Sequence, residues 1–236
     1  SRQSLADDLR IAVTGKTIAG LMGFTGAKAE EEALIREATD NLFALFGREI
    51  RETGLPVIAD LLKHEHPAVL LAGLKFLKAK ADKIKPEELS DDFIFSLLHH
   101  SYAPVREEGI ALLKAQPATV LLQRKEGILQ ACLSSFENVR NQLPPLIQKM
   151  AEADRSFGIA AAEYLMPWLL RKETVEGLHN SVSRLLCNEL SNYLQNANKD
   201  QALHLLYSHY PAAQNVGVTI LEKYTDRAQL TLPQVV

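Results

Sequence analysis

The chain has 236 residues, 47% of them hydrophobic and 23% charged, with a formal net charge of −3. This composition suits a globular protein with a substantial core, and the charge provides no whole-chain field toward nucleic acid or anionic membrane. The two cysteines, Cys132 and Cys187, form no CxxC pair and no disulfide framework, so a reducing, cytoplasmic setting is expected. No apolar run approaches the roughly 20 residues of a membrane-spanning helix, and no signal peptide is evident. Helix formers are abundant and long β-branched runs are missing, which predicts an all-α chain.

Residues 1–46 read as one irregular helical hairpin. Ser4-Leu5-Ala6-Asp7 has the form of a capping box, and "FTGAKAEEE" has the composition of the turn. Within the first helix, "RIAVTGKTIAG" contains Gly15-Lys16-Thr17, the closing tripeptide of a phosphate-binding P-loop. Arg10 occupies the position where that motif needs its first glycine, and Leu5, Leu9, Ala12, Val13 and Lys16 fall at helical spacing. No strand feeds the loop, and the Walker-B-like "VIAD" at 57–60 follows Pro56 inside a helical pattern. The tripeptide is therefore read as helix, with Gly15 and Gly20 as weak points expected to bring a kink, close packing or early termination.

From residue 47 to 225 the chain alternates apolar helices with short polar turns, and an internal period appears. Taking the residue that opens each second helix as a marker gives Val69, Val105, Val139, Val175 and Ala213, in steps of 36, 34, 36 and 38 residues. The tracts "LLKHEHPAVLLAGLKFL" and "LLHHSYAPVREEGIALL" carry Pro56, Leu61-Leu62, Val69 and Ala72, then Leu97-Leu98, Val105-Arg106 and Gly109. Val139-Arg140 follows, and Pro167 is read as a second first-helix proline. This pattern resembles HEAT repeats, although the family's turn aspartate is missing, with Glu65, Ser101 and Glu137 nearby instead. The resemblance implies α-hairpins stacked into a solenoid, in which each hairpin buries against its neighbours a face it cannot bury alone.

Several residue groups are weighed as sites. His64, His66, His99 and His100 fall at turns one repeat apart, which raises a shared metal site, but no cysteine or carboxylate completes a ligand set and capping roles are expected. His66, Tyr102, Phe136 and Tyr210 hold equivalent turn positions and are expected to pack against neighbouring turns rather than form a recognition edge. Lys75, Lys78, Lys80, Lys83 and Lys85 form a basic run that Glu87, Glu88, Asp91 and Asp92 largely cancel. HEAT-like DNA glycosylases rely on several tryptophans, whereas here Trp168 stands alone beside Arg171 and Lys172 and is expected in the core. Glu30 to Glu32 and Asp91-Asp92 read as helix N-terminal carboxylates rather than acid–base pairs.

The sequence thus predicts an all-α, right-handed α-α superhelix of about six HEAT-like hairpins forming one domain over 1–236. Its last stretch, 226–236, reads as a further repeat or tail, and the whole as a piece of a longer protein. No catalytic, cofactor or metal site is expected. The predicted function is protein binding or scaffolding on a concave surface lined by second helices, with Arg106, Glu107, Arg140, Gln142 and Asn215 as candidate contacts. The alternative is nucleic-acid binding or processing on the same scaffold.

Overall fold

A computed structural model of the chain describes residues 2–24 and 29–224, with side chains described at residues 6–24 and 32–224. Every regular element among the described residues is helical. No described helix is long and apolar enough to cross a membrane. The chain divides into two compact units, one ending at Phe93 and one beginning at Ile94.

The first unit holds α1 (Arg2–Met22), α2 (Ala29–Glu52), α3 (Leu55–Leu62) and α4 (Pro67–Lys80), with 3-10 turns at Ala81–Lys83 and Pro86–Glu88. Helix α1 packs on α2, and α2 and α3 both pack on α4. The buried stripe of α1 is narrow, Thr14, Ile18 and Leu21, which is one face at helical spacing. Helix α2 contributes Ile35, Thr39, Leu42 and Ile50, and it bends at Phe46, where the backbone leaves helical geometry (φ −129°, ψ 30°) just before Gly47. The predicted boundary at 46 therefore falls inside this helix.

Two expectations for α1 are corrected. It already runs from Arg2, so Ser4 lies within the helix and not at its cap. It also continues through Gly15 and Gly20, and a Cβ at either glycine would meet nothing within 4 Å, so neither marks a close approach. The "TGAK" of the predicted turn lies outside the described residues, as do the side chains of Glu30 and Glu31 and the whole stretch 226–236.

The second unit begins within α5 (Asp91–Leu98) and continues through α6 (Ala103–Lys114), α7 (Ala118–Gln123), α8 (Lys125–Ala131), α9 (Glu137–Arg140), α10 (Pro144–Ala153), α11 (Arg155–Leu165), α12 (Leu178–Cys187), α13 (Lys199–Leu206) and α14 (Pro211–Tyr224). Short 3-10 segments lie at Met166–Leu170 and Ser191–Tyr193. Helix α10 packs on α7 and α11, α12 on α14, and α13 on α14. Where the sequence predicts one helix after Phe136, the structure has two. Pro144 and Pro145 lack amide donors and their rings oppose the carbonyls a turn earlier, so α9 ends and α10 starts afresh with proline in its first turn.

Val69, Val105, Val139 and Ala213 are fully buried, as their marker positions require. Val175 is not equivalent to them. It is half-buried in the irregular stretch before α12, which opens after Gly177 in the left-handed region (φ 72°). Val182, 1% exposed, holds the place instead: Arg106 reaches Asn138, just before Val139, and Arg140 reaches Ser181, just before Val182. Pro167 likewise sits in the 3-10 segment that follows α11, not at the head of a first helix.

Four residues beyond the marker stands a glycine in three of the hairpins. A Cβ at Gly73 would lie 2.8 Å from Leu61 Cβ, at Gly109 2.8 Å from Leu97 Cβ, and at Gly217 2.7 Å from the Ala202 carbonyl oxygen. These glycines set how closely the two helices of each hairpin cross. The repeat at Val139 carries Leu143 at that place, where the helix is broken.

Candidate recognition surface

The turns between first and second helices share one hydrogen-bonded device. His64 Nδ1 accepts from the His66 amide at 3.0 Å and His100 Nδ1 from the Tyr102 amide at 3.0 Å. Ser134 Oγ accepts from the Phe136 amide at 3.1 Å and Ser208 Oγ from the Tyr210 amide at 3.2 Å. In each case a side-chain acceptor takes the N–H two residues ahead, satisfying a donor at the helix entrance. In three of these turns a long side chain from the second helix then returns to the same turn. Arg106 Nη1 donates to the His100 and Ser101 carbonyls at 2.7 Å each, Arg140 Nη1 to the Ser134 carbonyl at 2.7 Å, and Gln214 Nε2 to the Ser208 carbonyl at 2.9 Å.

This device accounts for the turn histidines. With Nδ1 of His64 accepting, Nε2 donates to the Met22 carbonyl at 3.2 Å, so both ring nitrogens are engaged. His66 Nδ1 caps α4 by accepting from the Ala68 amide, and His99 Nδ1 donates to the Phe95 carbonyl at 2.7 Å. Among the described residues, no group of three or more His, Cys, Asp or Glu side chains is placed to hold a metal ion.

Two of the predicted contact residues stand inside the fold. Arg106 is 7% exposed and Arg140 4%. The Arg106 guanidinium lies 3.9 Å from the centroid of the Phe136 ring, and burial lowers its pKa. Arg140 Nη2 also donates to the Glu176 carbonyl at 2.8 Å. Glu107 and Asn215 are exposed, and Gln142 is half-buried, accepting from Lys114 Nζ at 3.0 Å.

Arg140 closes one end of a polar groove between α9–α10 and α12. A cavity of about 220 Å³ is lined by Arg140, Asn141, Ser181, Arg184, Asn188 and Glu189 among others. A second, of about 320 Å³, shares Asn188 and Glu189 and adds Gln148, Glu152, Asn192 and Tyr193. The two adjoin at Asn188 and Glu189, and together their walls carry both signs of charge. Sequence reasoning reached Arg140 but not Arg184, Asn188 or Glu189. The available signal was the polar spacing of Ser181, Arg184 and Asn188 along one helix face, hidden by the misplaced Val175 register.

The remaining candidates disperse. His66 lies edge-on to Phe24 at 5.3 Å and Tyr210 edge-on to His179 at 4.6 Å, so these rings pack within the fold, whereas Tyr102 is 40% exposed. Lys75 pairs with Asp40 at 2.5 Å and Lys80 donates to the Arg51 carbonyl at 3.1 Å, while Lys78 and Arg36 border a groove of about 320 Å³. Trp168 departs from the expected core helix position: it is half-buried in the 3-10 segment, with Arg171 4.4 Å above its ring. Asp91 and Asp92 occupy the first turn of α5. The P-loop-like residues are helical, with Thr17 Oγ1 donating to the Val13 carbonyl and Arg10 paired to Glu49. That pair holds the Glu49 carboxyl below the usual range.

No protein-family model matches the chain, and none of the curated proteins matches it. Among solved structures, an engineered protein from the Northeast Structural Genomics Consortium is similar over 87% of this chain and 95% of its own. It is 16% identical with a TM-score of 0.38, a level of similarity that carries no inference about fold or function.

Proposed function

We propose that the chain is a non-catalytic protein-binding module, a HEAT-like right-handed solenoid of about six hairpins working as a scaffold in the reducing cytoplasm. The observation that carries this reading is the polar trough between α9–α10 and α12. Its walls carry Arg184, Glu189 and Glu152, a mixture of charges suited to a protein surface rather than to a phosphate backbone. Glu107 and Asn215, exposed on second helices, extend the candidate contact area. Both cysteines are free, in keeping with a reducing setting.

The alternative, nucleic-acid binding, rests on the groove bordered by Arg36, Lys75 and Lys78. The pairing of Lys75 with Asp40 weakens it.

The test immobilises the wild-type chain and an Arg184→Glu/Glu189→Arg variant and compares the proteins each retains from a source-matched lysate. Retention lost specifically in the variant supports the trough as the binding surface. Identical retention, or retardation of duplex DNA that falls steeply with salt, overturns it.

A further inference from the structure

The groove of about 320 Å³ between α2 and α4 sorts its lining by depth. The exposed lining residues, Arg36, Asp40, Lys75 and Lys78, are all charged. The half-buried Leu71 and the buried Ala72 and Leu74 are apolar. Thr39 is the buried polar exception, and its hydroxyl donates to the Ile35 carbonyl at 2.7 Å, so that proton is already spent. An apolar floor under a charged rim accepts apolar side chains in its depth and charges at its edge.

The charges on the rim do not cancel. Asp40 alone is acidic among the described lining residues, and it is taken up by Lys75 at 2.5 Å. Arg36 and Lys78 have no hydrogen-bond or ion-pair partner among the described residues. One of these cations belongs to α2 and the other to α4, so each wall carries an uncompensated positive charge. Glu32, Glu37 and Asp82, the neighbouring carboxylates in sequence, line no part of the groove.

In repeat register this is the place the trough holds in the second unit. Ala68, Leu71 and Lys75 line the one, and Ser181, Arg184 and Asn188 line the other, each trio beginning just before the buried valine, Val69 or Val182. The same helix face therefore opens a groove in both units, with different chemistry in each.

We infer that the α2–α4 groove docks an acidic amphipathic segment of a partner protein, with apolar side chains against Leu71 and carboxylates on Arg36 and Lys78. The inference rests on the protein-binding reading but on a separate groove. A phosphate backbone would leave the apolar floor bare and find only two free cations, where strong binding takes many contacts. An amphipathic helix satisfies floor and rim together, with apolar anchors at helical spacing and acids flanking them.

The test titrates the full 236-residue chain into a fluorescent peptide of about 15 residues, read by anisotropy at physiological salt, with leucines at i, i+3, i+4 and i+7 and glutamates beside them. The wild type binds with a micromolar Kd. Arg36→Glu/Lys78→Glu weakens binding about tenfold or more and instead takes the peptide carrying lysines for glutamates. Serines in place of the leucines weaken binding to the wild type by a similar factor, a result that does not depend on any change in the chain. The Arg184→Glu/Glu189→Arg variant binds the peptide as the wild type does, so loss of lysate retention in that variant and loss of peptide binding in the other are read separately. Circular dichroism checks that both variants remain helical. A wild type that does not bind, charge reversal without effect, equal binding of the serine peptide, loss of binding in the trough variant, or a DNA oligonucleotide that displaces the peptide more effectively than unlabelled peptide each overturns the proposal.

Discussion

Replacing Arg140 with Met keeps the aliphatic stem and removes the guanidinium, which makes it a direct probe of the turn device. Arg140 is 4% exposed and donates to the Ser134 carbonyl at 2.7 Å, the Glu176 carbonyl at 2.8 Å and Ser181 Oγ at 3.2 Å. The Ser134 bond joins two buried residues, so its loss strands a carbonyl and costs about 1.5–3 kcal/mol. Glu176 is exposed and Ser181 half-buried, so water replaces much of those two bonds, at about 0.5 kcal/mol each. Relief of burying the cation offsets part of the sum, leaving about 2–3 kcal/mol. Gln214→Met removes one neutral bond at the equivalent position, between half-buried residues, and costs about 1 kcal/mol. The assay is urea unfolding followed by fluorescence of the single tryptophan, Trp168, which lies in the same unit as both sites. A loss below about 1 kcal/mol for Arg140→Met, or one no larger than for Gln214→Met, refutes the bracing role.

Glycine substitutions separate close approach from open space. Gly109→Ala sets a Cβ 2.8 Å from Leu97 Cβ and is expected to destabilise by about 1–3 kcal/mol in the same unfolding assay, whereas Gly20→Ala meets nothing within 4 Å and gains about 0.5–1 kcal/mol, read by circular dichroism. Equal effects at the two sites refute the crossing-point role. Asp154 caps α11 through the Ser156 hydroxyl and the Ser156 and Phe157 amides, and these bonds hold its carboxyl below the usual range. A depressed folded value means its stabilisation is present above the unfolded pKa, near 3.8, and is lost as pH falls through the lower folded value. Asp154→Asn, which still caps but cannot titrate, is expected to retain stability at neutral pH and to reduce the acid dependence of unfolding, and an unchanged acid profile counts against the capping assignment.

Much of the helical layout was legible because apolar residues at helical spacing leave few alternatives. The burial of Val69, Val105, Val139 and Ala213 follows from that spacing alone. What the period concealed was an irregular insertion. The stretch before Gly177 adds residues without helical periodicity, and a marker chosen by even spacing landed on Val175 instead of Val182. The same shift hid Arg184 and Asn188 from the candidate surface. Gly73 was overlooked in favour of Ala72 because a small residue is visible in sequence and a 2.8 Å approach is not. The two arginines were recognised as a repeated feature but assigned to the concave contact surface, since residue type alone does not distinguish a solvated guanidinium from one folded back onto a turn.

The difference between Arg and Gln along the turns follows from how many acceptors each must reach. Arg106 spans its own turn at His100 and Ser101 and also the next repeat at Asn138, and Arg140 spans Ser134 and then Glu176 and Ser181. Five donors in a rigid fork can bind both directions at once, which a single amide cannot. Gln214 serves only Ser208, and one amide donor is enough there because its bond stays within one turn. The acceptor side is correspondingly loose in chemistry and strict in position: His64, His100, Ser134 and Ser208 all place an acceptor within reach of the N–H two residues on. A ring nitrogen or a hydroxyl meets the same requirement, and Arg106 and Arg140 join successive turns by each bonding forward, to Asn138 and to Glu176 and Ser181.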